Sequence, residues 1–309
     1  MRTSVYKVIN GNRVKPNEFP FIASTWDTYT GSACTAVMIS KHHVLTAAHC
    51  VVEEESSEQF NKTCRQNAND HKKVKRRYSK AVDTVAYAGS RCPYPDNCSP
   101  SIKEYTVKRI VVDPEYNICN LAHDLAIVEL SRDVDEKESI PICMPGYNLR
   151  LPKKLMVAGY GVNPFGKRGG ELHVASLSYH EQKDGKIVTS DKNKNACSGD
   201  SGGPLFYSSD GIFTLLGITS STSDACTKSS TGGQSYFIDV RANLDWICDE
   251  TVLLLLSGIM RALIAYLNNK DNKDKENALR SLPGVTLERI QSSFLEKSKR
   301  KKPMFLNFQ

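Results

Sequence analysis

The stretch NKNACSGDSGGPLF, residues 193–206, decides how the rest of the chain is read. Ser201 lies between Asp200 and the pair Gly202-Gly203, with Pro204 closing the run. Glycines permit the backbone of a tight turn, and a serine held there stands clear of its own chain. A glycine-rich turn without chemistry would look the same in isolation. A serine hydroxyl is a weak nucleophile at neutral pH, and it needs a base within hydrogen-bond reach and a group that orients that base. The question therefore passes to the residues upstream.

Two segments supply those parts. VLTAAHC, 44–50, places His49 just beyond a strand and beside Cys50, and AHDLAIVEL, 122–130, places Asp124 at the head of an alternating strand. Taken singly, each is an ordinary core histidine or surface turn. Together they give the chain order His, Asp, Ser, one of the orders known for a serine nucleophile with its base and orienting acid.

Composition narrows the class. The chain has 309 residues, enough for a substantial core, and a net charge of +7. The excess gathers in clusters, Lys72, Lys73, Lys75, Arg76 and Arg77, then Lys297, Lys299, Arg300, Lys301 and Lys302. No nucleic-acid-reading motif accompanies either cluster, so both are expected to be solvated surface and no nucleic-acid partner is expected. Ten cysteines without a Cys-x-x-Cys pair point to disulfides, an oxidising compartment and a secreted protein rather than a zinc site. The sequons at Asn61 and Asn97 agree with a glycoprotein, although an apolar targeting core is not visible in Met1–Lys7. No cofactor fingerprint or metal cluster is seen, and the chemistry requires neither.

Between Val8 and Asp249, FPFIAST, TAVMIS, YTVKRIVV, LAIVEL, LMVAGYG, PLFYS, FTLLGITSS and SYFIDV read as short strands separated by turn residues, an all-β barrel or sandwich. Residues 51–104 are polar and highly charged and read as a surface insertion. Residues 250–309 form an extension in which TVLLLLSGIMRALIAYL is a short apolar run with Ser257, Gly258 and Arg261 on one stripe. A membrane span needs about 20 apolar residues, and a central arginine costs roughly 2.5 to 3.5 kcal/mol. A helix packed on the body, followed by a basic, disordered end, is the expectation, and membrane attachment is not.

His49, Asp124 and Ser201 with their flanking motifs resemble the chymotrypsin-trypsin family of serine endopeptidases over about Val8 to Cys248, and the details resemble divergent trypsin-like proteins common in nematodes. The resemblance implies two packed six-stranded antiparallel β-barrels, a short C-terminal helix and, here, an added tail. It implies that Ser201 attacks the scissile carbonyl, that His49 moves the proton, and that Asp124 orients His49. The N–H groups of Gly199 and Ser201 would form the oxyanion hole. It also implies a zymogen with a residual propeptide, residues 1–7: cleavage after Lys7 would free the amino group of Val8 to pair with Asp200, and that buried pair acts as a switch. Implied bridges are Cys34–Cys50, Cys197–Cys226 and Cys143–Cys248, while Cys64, Cys92, Cys98 and Cys119 allow three pairings. The implied partners are a protein or peptide substrate and an activating protease, with room for a protein protease inhibitor.

Departures from the family bear on specificity. His49 and Asp124 are 75 positions apart, a wide gap filled by the charged insertion. Asn195 stands on the pocket floor where trypsin-like enzymes carry aspartate, and Ser220, Ser221 and Thr222 line the wall, with Ser221 and Thr222 where the family commonly has Trp and Gly. The opposite wall is expected near Gln234. Losing the floor charge removes the partner of a substrate Arg or Lys, so neutral residues are expected at the cut. The opposing reading is that Asp191 or Asp224 swings in. The rival to a serine endopeptidase is a weak or inactive binding protein on the same scaffold.

Overall fold

A computed structural model describes Val8 and residues 11–53, 62, 64–65, 77–95, 102–161, 170–223 and 233–251. Six strands close an antiparallel barrel: β2 (Ile22–Asp27), β3 (Ala33–Met38), β4 (His43–Thr46), β9 (Ala126–Leu130), β8 (Glu104–Val112) and β7 (Thr84–Ala88), in that order around it. Every residue of β4, β7 and β9 is buried, because both faces of these short strands are covered. Closure leaves no free edge to pair with another chain.

A second barrel follows the same logic. β10 (Lys154–Gly159), β11 (His173–Lys183), β12 (Lys186–Asp191), β13 (Pro204–Ser209), β14 (Ile212–Thr222) and β15 (Gly233–Asp239) run in the order β11-β10-β13-β14-β15-β12, and pairing of β11 with β12 closes the ring. The short β1 (Asn12–Arg13) adds to β11 beside Val174 and His173. Bulges in β11 and β14, one in the first and two in the second, bend these long strands around the barrel. The chain then leaves β15 through a 3-10 turn, Val240–Asn243, in which the Asp239 carboxylate caps the N–H of Arg241, into a short helix from Leu244. The expected pair of six-stranded barrels and short C-terminal helix is the observed architecture.

One apolar cluster runs through both barrels, with Phe21, Val37 and Leu45 from the first meeting Ala158, Phe206, Leu215 and Ile218 from the second. Phe19 and Phe21 set their rings edge-on to Phe206 with centroids 5.2 Å away, an arrangement favoured by the ring quadrupoles. This cluster holds the two barrels as one body, and the groove between them faces Ser201.

Several expectations change. The region 51–104 is not all insertion: β7 and the start of β8 are barrel strands inside it, and β5 (Val52–Glu53) pairs with β6 (Arg77–Tyr78) across the polar stretch. TVAYA is a short strand amid charged neighbours, which hides it. The hairpin β11–β12 also escapes a search for apolar runs, because half of its side chains face solvent. Its turn, Asp184-Gly185, has φ of 50° and 72°, the left-handed pair expected of Asp-Gly in a two-residue hairpin loop. Cys34 bonds Cys50 as expected, and Cys64 bonds Cys119, which settles one of the open pairings. Cys143 and Cys248 are both free and exposed, so the bridge expected between them does not form. Cys92 and Cys197 are also bonded cysteines; Cys98 and Cys226 lie outside the described residues. So do Lys7, both sequons, Asp224 and residues 252–309 with most of the apolar run. Among the described residues no helix is long and apolar enough to cross a membrane.

Candidate active site

His49 sits in the 3-10 turn Ala48–Cys50 that follows β4, tied to β3 by the Cys34–Cys50 bridge. Asp124 lies just before β9, the strand paired to β4, so the barrel brings together residues far apart in sequence. The Asp124 carboxylate is fully buried, with 0% exposure, and three donors converge on it. The backbone N–H of His49 donates to Oδ1 at 2.9 Å, and His49 Nδ1 lies 2.7 Å from Oδ2. The hydroxyl of Ser220 donates to the same Oδ2 at 2.6 Å. A carboxylate accepts only, so Nδ1 must carry the hydrogen, and Nε2 is the nitrogen able to accept a proton. His49 and Ser201 line one cleft.

The turn that carries Ser201 is bound on every side. Asp200 N donates to Cys197 O at 2.9 Å and Gly203 N donates to Asp200 O at 2.9 Å. The buried Asp200 carboxylate accepts from Gly161 N at 2.9 Å and from Cys197 N at 2.8 Å. A Cβ on Gly159 would lie 2.3 Å from Asp200 Oδ1, so the close approach of β10 to this turn requires glycine. Gly199 takes φ of 94°, a region closed to most side chains. Its N–H and that of Ser201 have no hydrogen-bond partner among the described residues, whereas its carbonyl accepts from Thr35 Oγ1 at 2.8 Å. Thr35 Oγ1 also accepts from Tyr160 N at 3.0 Å, so one hydroxyl from β3 ties the Gly199 turn to β10. Val8 is wholly buried in the core of the second barrel with Leu155, Val157 and Ala196.

The slot at Asn195 differs from the expectation. Asn195 is 1% exposed; its Nδ2 donates to Thr222 Oγ1, and its Oδ1 accepts from Ser235 Oγ. Thr222 from β14 and Ser235 from β15 therefore reach across and hold the amide at both ends. Ser235, not Gln234, is the residue facing Asn195; Gln234 instead accepts from the Tyr236 hydroxyl. Ser220, expected to contact substrate, gives its hydroxyl to Asp124. Asp191 accepts from the N–H of Ser178 on β11 and does not approach Asn195 among the contacts observed. Thr35 and Ser220 carry no sequence signal beyond their places beside Cys34 and within GITSST.

Cys34, His49 and Cys50 bring their ligand atoms close together, yet the two sulfurs are bonded to each other and offer no thiolate to a metal.

The family model described as Trypsin matches residues 8–91 and 96–247. The chain is similar to the atrial natriuretic peptide-converting enzyme of Homo sapiens, 27% identical over 260 residues, an alignment covering 78% of this chain and 22% of that protein. It is similar to phenoloxidase-activating factor 3 of Holotrichia diomphalia, 28% identical over 269 residues, covering 78% of this chain and 72% of that protein. Serine protease Hayan of Drosophila melanogaster is 27% identical over 255 residues, covering 72% of this chain and 36% of Hayan. These relatives support the family and not a narrower nematode grouping. Two closed six-stranded barrels, with a family match that runs through both, lead to one conclusion: the chain belongs to the trypsin family.

Proposed function

We propose that the chain is a serine endopeptidase that cuts proteins or peptides through a covalent acyl-enzyme on Ser201. The observation that carries this reading is the buried Asp124 carboxylate, which holds His49 by two hydrogen bonds with Nε2 as the basic nitrogen. Ser201 Oγ bonds to the scissile carbonyl carbon as its proton passes to His49 Nε2. The N–H groups of Gly199 and Ser201, which have no partner among the described residues, take the negative charge that develops on the carbonyl oxygen. The carbon–nitrogen bond then breaks, and His49 returns the proton to the departing amine. Water attacks the acyl-enzyme by the same route in reverse. Asp124 stays ionised throughout and stabilises the imidazolium.

The chain acts as a zymogen in this proposal. An activating protease cuts after Lys7, and the new ammonium of Val8 pairs with Asp200. Burial of the Val8 side chain beside Ala196 supports this placement, since the ammonium is covalently tied to a residue already in the second barrel's core. The bridges Cys34–Cys50 and Cys64–Cys119 support secretion, because such bonds persist in oxidising compartments. Cleavage after Arg or Lys is disfavoured, because Asn195 lacks the charge that would pair with those side chains.

Treating folded, Lys7-cleaved protein with a fluorophosphonate probe tests the reading. Labelling that disappears in Ser201→Ala is expected. One observation favours the rival, a binding protein on this scaffold: Thr222 and Ser235 hold Asn195 across the slot where a substrate side chain would enter. No labelling of folded, cleaved protein would select that rival.

A further inference from the structure

We propose that this chain selects its substrate on the leaving-group side of Ser201, where a cleft walled by Trp26, Asp27 and Tyr94 takes a cationic side chain, Arg or Lys. The inference rests on Ser201 being the nucleophile. On the acyl side, the slot above Asn195 is spanned by Thr222 and Ser235, which leaves little depth for a substrate side chain. The described cleft that contains His49 and Ser201 has a volume of about 670 Å³, and neither Asn195, Ser220 nor Thr222 lines it. It extends instead past the Cys34–Cys50 bridge to the end of β2. A peptide crossing Ser201 with its acyl part toward Asn195 therefore sends its amine part into this cleft.

The walls specify the chemistry. Trp26 and Tyr94 meet edge to face, with ring centroids 4.3 Å apart and planes at 83°, so they make a corner of aromatic surface. Such surface binds Arg and Lys through the ring quadrupole as well as through their apolar stems. Beside this corner lies Asp27, 6% exposed. Its Oδ1 accepts from Tyr29 N at 3.0 Å and from Thr30 N at 2.9 Å. Burial by itself raises the Asp27 carboxyl, but hydrogen bonds from Thr30, Ser79 and Tyr29 outweigh it and hold the group below its usual range. The carboxylate is therefore charged, and its partners are all neutral: among the described residues it has no ion pair. Among the described residues the cleft lining contains no Lys or Arg, and Asp27 is its only acid. Among the described residues these walls therefore carry one carboxylate without an ion-pair partner, in a partly desolvated space. That favours a cation over a neutral side chain of the same shape.

The test separates this inference from the identity of the nucleophile. Binding is measured with cleaved, folded protein carrying Ser201→Ala, which holds a peptide without cutting it. The probes are short peptides that place Arg, or the isosteric neutral citrulline, at each of the three positions after the scissile bond. At one of these positions the Arg peptide is expected to bind about tenfold tighter or more than its citrulline twin. Adding Asp27→Asn removes the charge while keeping an oxygen for the Tyr29 and Thr30 N–H groups; adding Trp26→Leu removes the ring. Each is expected to bring the ratio to within about threefold of unity. Equal binding of Arg and citrulline peptides at all three positions overturns the inference, as does a ratio that survives both substitutions. Failure of fluorophosphonate labelling in the unsubstituted protein would sink the nucleophile reading and leave the binding comparison to decide the cleft.

Discussion

Replacing Asp124 by asparagine probes the proposed mechanism at its most constrained point. Three donors face the native carboxylate: His49 N, His49 Nδ1–H and the Ser220 hydroxyl, at 2.9, 2.7 and 2.6 Å. An amide accepts at one atom only. If its oxygen faces the His49 backbone N–H, its NH₂ points at Nδ1, and Nδ1 must give up its hydrogen. His49 then carries the proton on Nε2 and cannot take one from Ser201. If the amide turns over, the imidazole keeps its tautomer, but the NH₂ faces a backbone N–H that cannot change, at a cost of about 1–3 kcal/mol for a buried unsatisfied donor. Either way the imidazolium loses a carboxylate neighbour, worth about 4 kcal/mol at a 4 Å separation and an effective dielectric of 20. Together these amount to about 5–7 kcal/mol, a loss of roughly 10⁴- to 10⁵-fold in kcat. The assay is the turnover of a peptide ester by Lys7-cleaved protein, with thermal unfolding as a check that the variant folds. Turnover within tenfold of the native protein would refute the assignment of Asp124 as the group that orients His49.

Further outcomes follow from single contacts. Gly161→Ala places a Cβ 2.6 Å from Asp200 Oδ1, which displaces a carboxylate bonded to the Gly161 and Cys197 N–H groups. Fluorophosphonate labelling after Lys7 cleavage should slow by about 10- to 150-fold, the equivalent of one hydrogen bond to a charged group; an unchanged rate would show that Asp200 does not organise the nucleophile turn. The combination Asn195→Asp, Thr222→Gly and Ser235→Gly should open the slot and give it a charge, raising cleavage after Arg in a peptide library by about tenfold or more over Asn195→Asp alone. An equal profile for the two variants would show that Thr222 and Ser235 do not close the slot. Burial lowers the His43 pKa from 6.5 to about 4, so the unfolded chain binds the extra proton first as pH falls. His43 thus contributes stability that is fully present above pH 6.5 and lost progressively toward pH 4, about 3 kcal/mol in all. The unfolding midpoint should fall across that window and fall less in His43→Gln; equal slopes would rule out His43 as the cause.

How much was legible depended on whether the signal was local. β2, β3, β9, β13 and β14 announce themselves as runs of β-branched and aromatic residues, because both their faces are largely buried. β11 and β12 are half-exposed, and their pairing shows in the Asp184-Gly185 turn rather than in hydrophobicity. β7 lies among charged residues, which give that stretch the composition of a surface insertion. At the site, His49, Asp124 and Ser201 were readable because each sits in a short motif. Ser220 and Thr35 were not, since a hydroxyl in a strand has no distinctive neighbours and acquires its role only from what lies opposite.

The cysteines mark the same boundary. Pairing of Cys34 with Cys50 is implied by the family resemblance that the motif around His49 carries, while Cys64–Cys119 joins residues 55 positions apart and depends on where the first barrel places them. Likewise, the presence of Asn195 in place of an acid was plain from the chain alone. That Asn195 is bonded on both sides, by residues 27 and 40 positions away, was not. The amino-acid sequence by itself determined the all-β class and the order of the His, Asp and Ser motifs, because strand patterns and turn glycines are local properties of the chain; the two-barrel form was implied by the family resemblance those motifs carry. The tertiary structure alone decided which donors reach Asp124, how the Asn195 slot is spanned, and which cleft stays open beside Ser201. Those depend on side chains from separate strands converging through barrel closure, and no local pattern encodes that convergence.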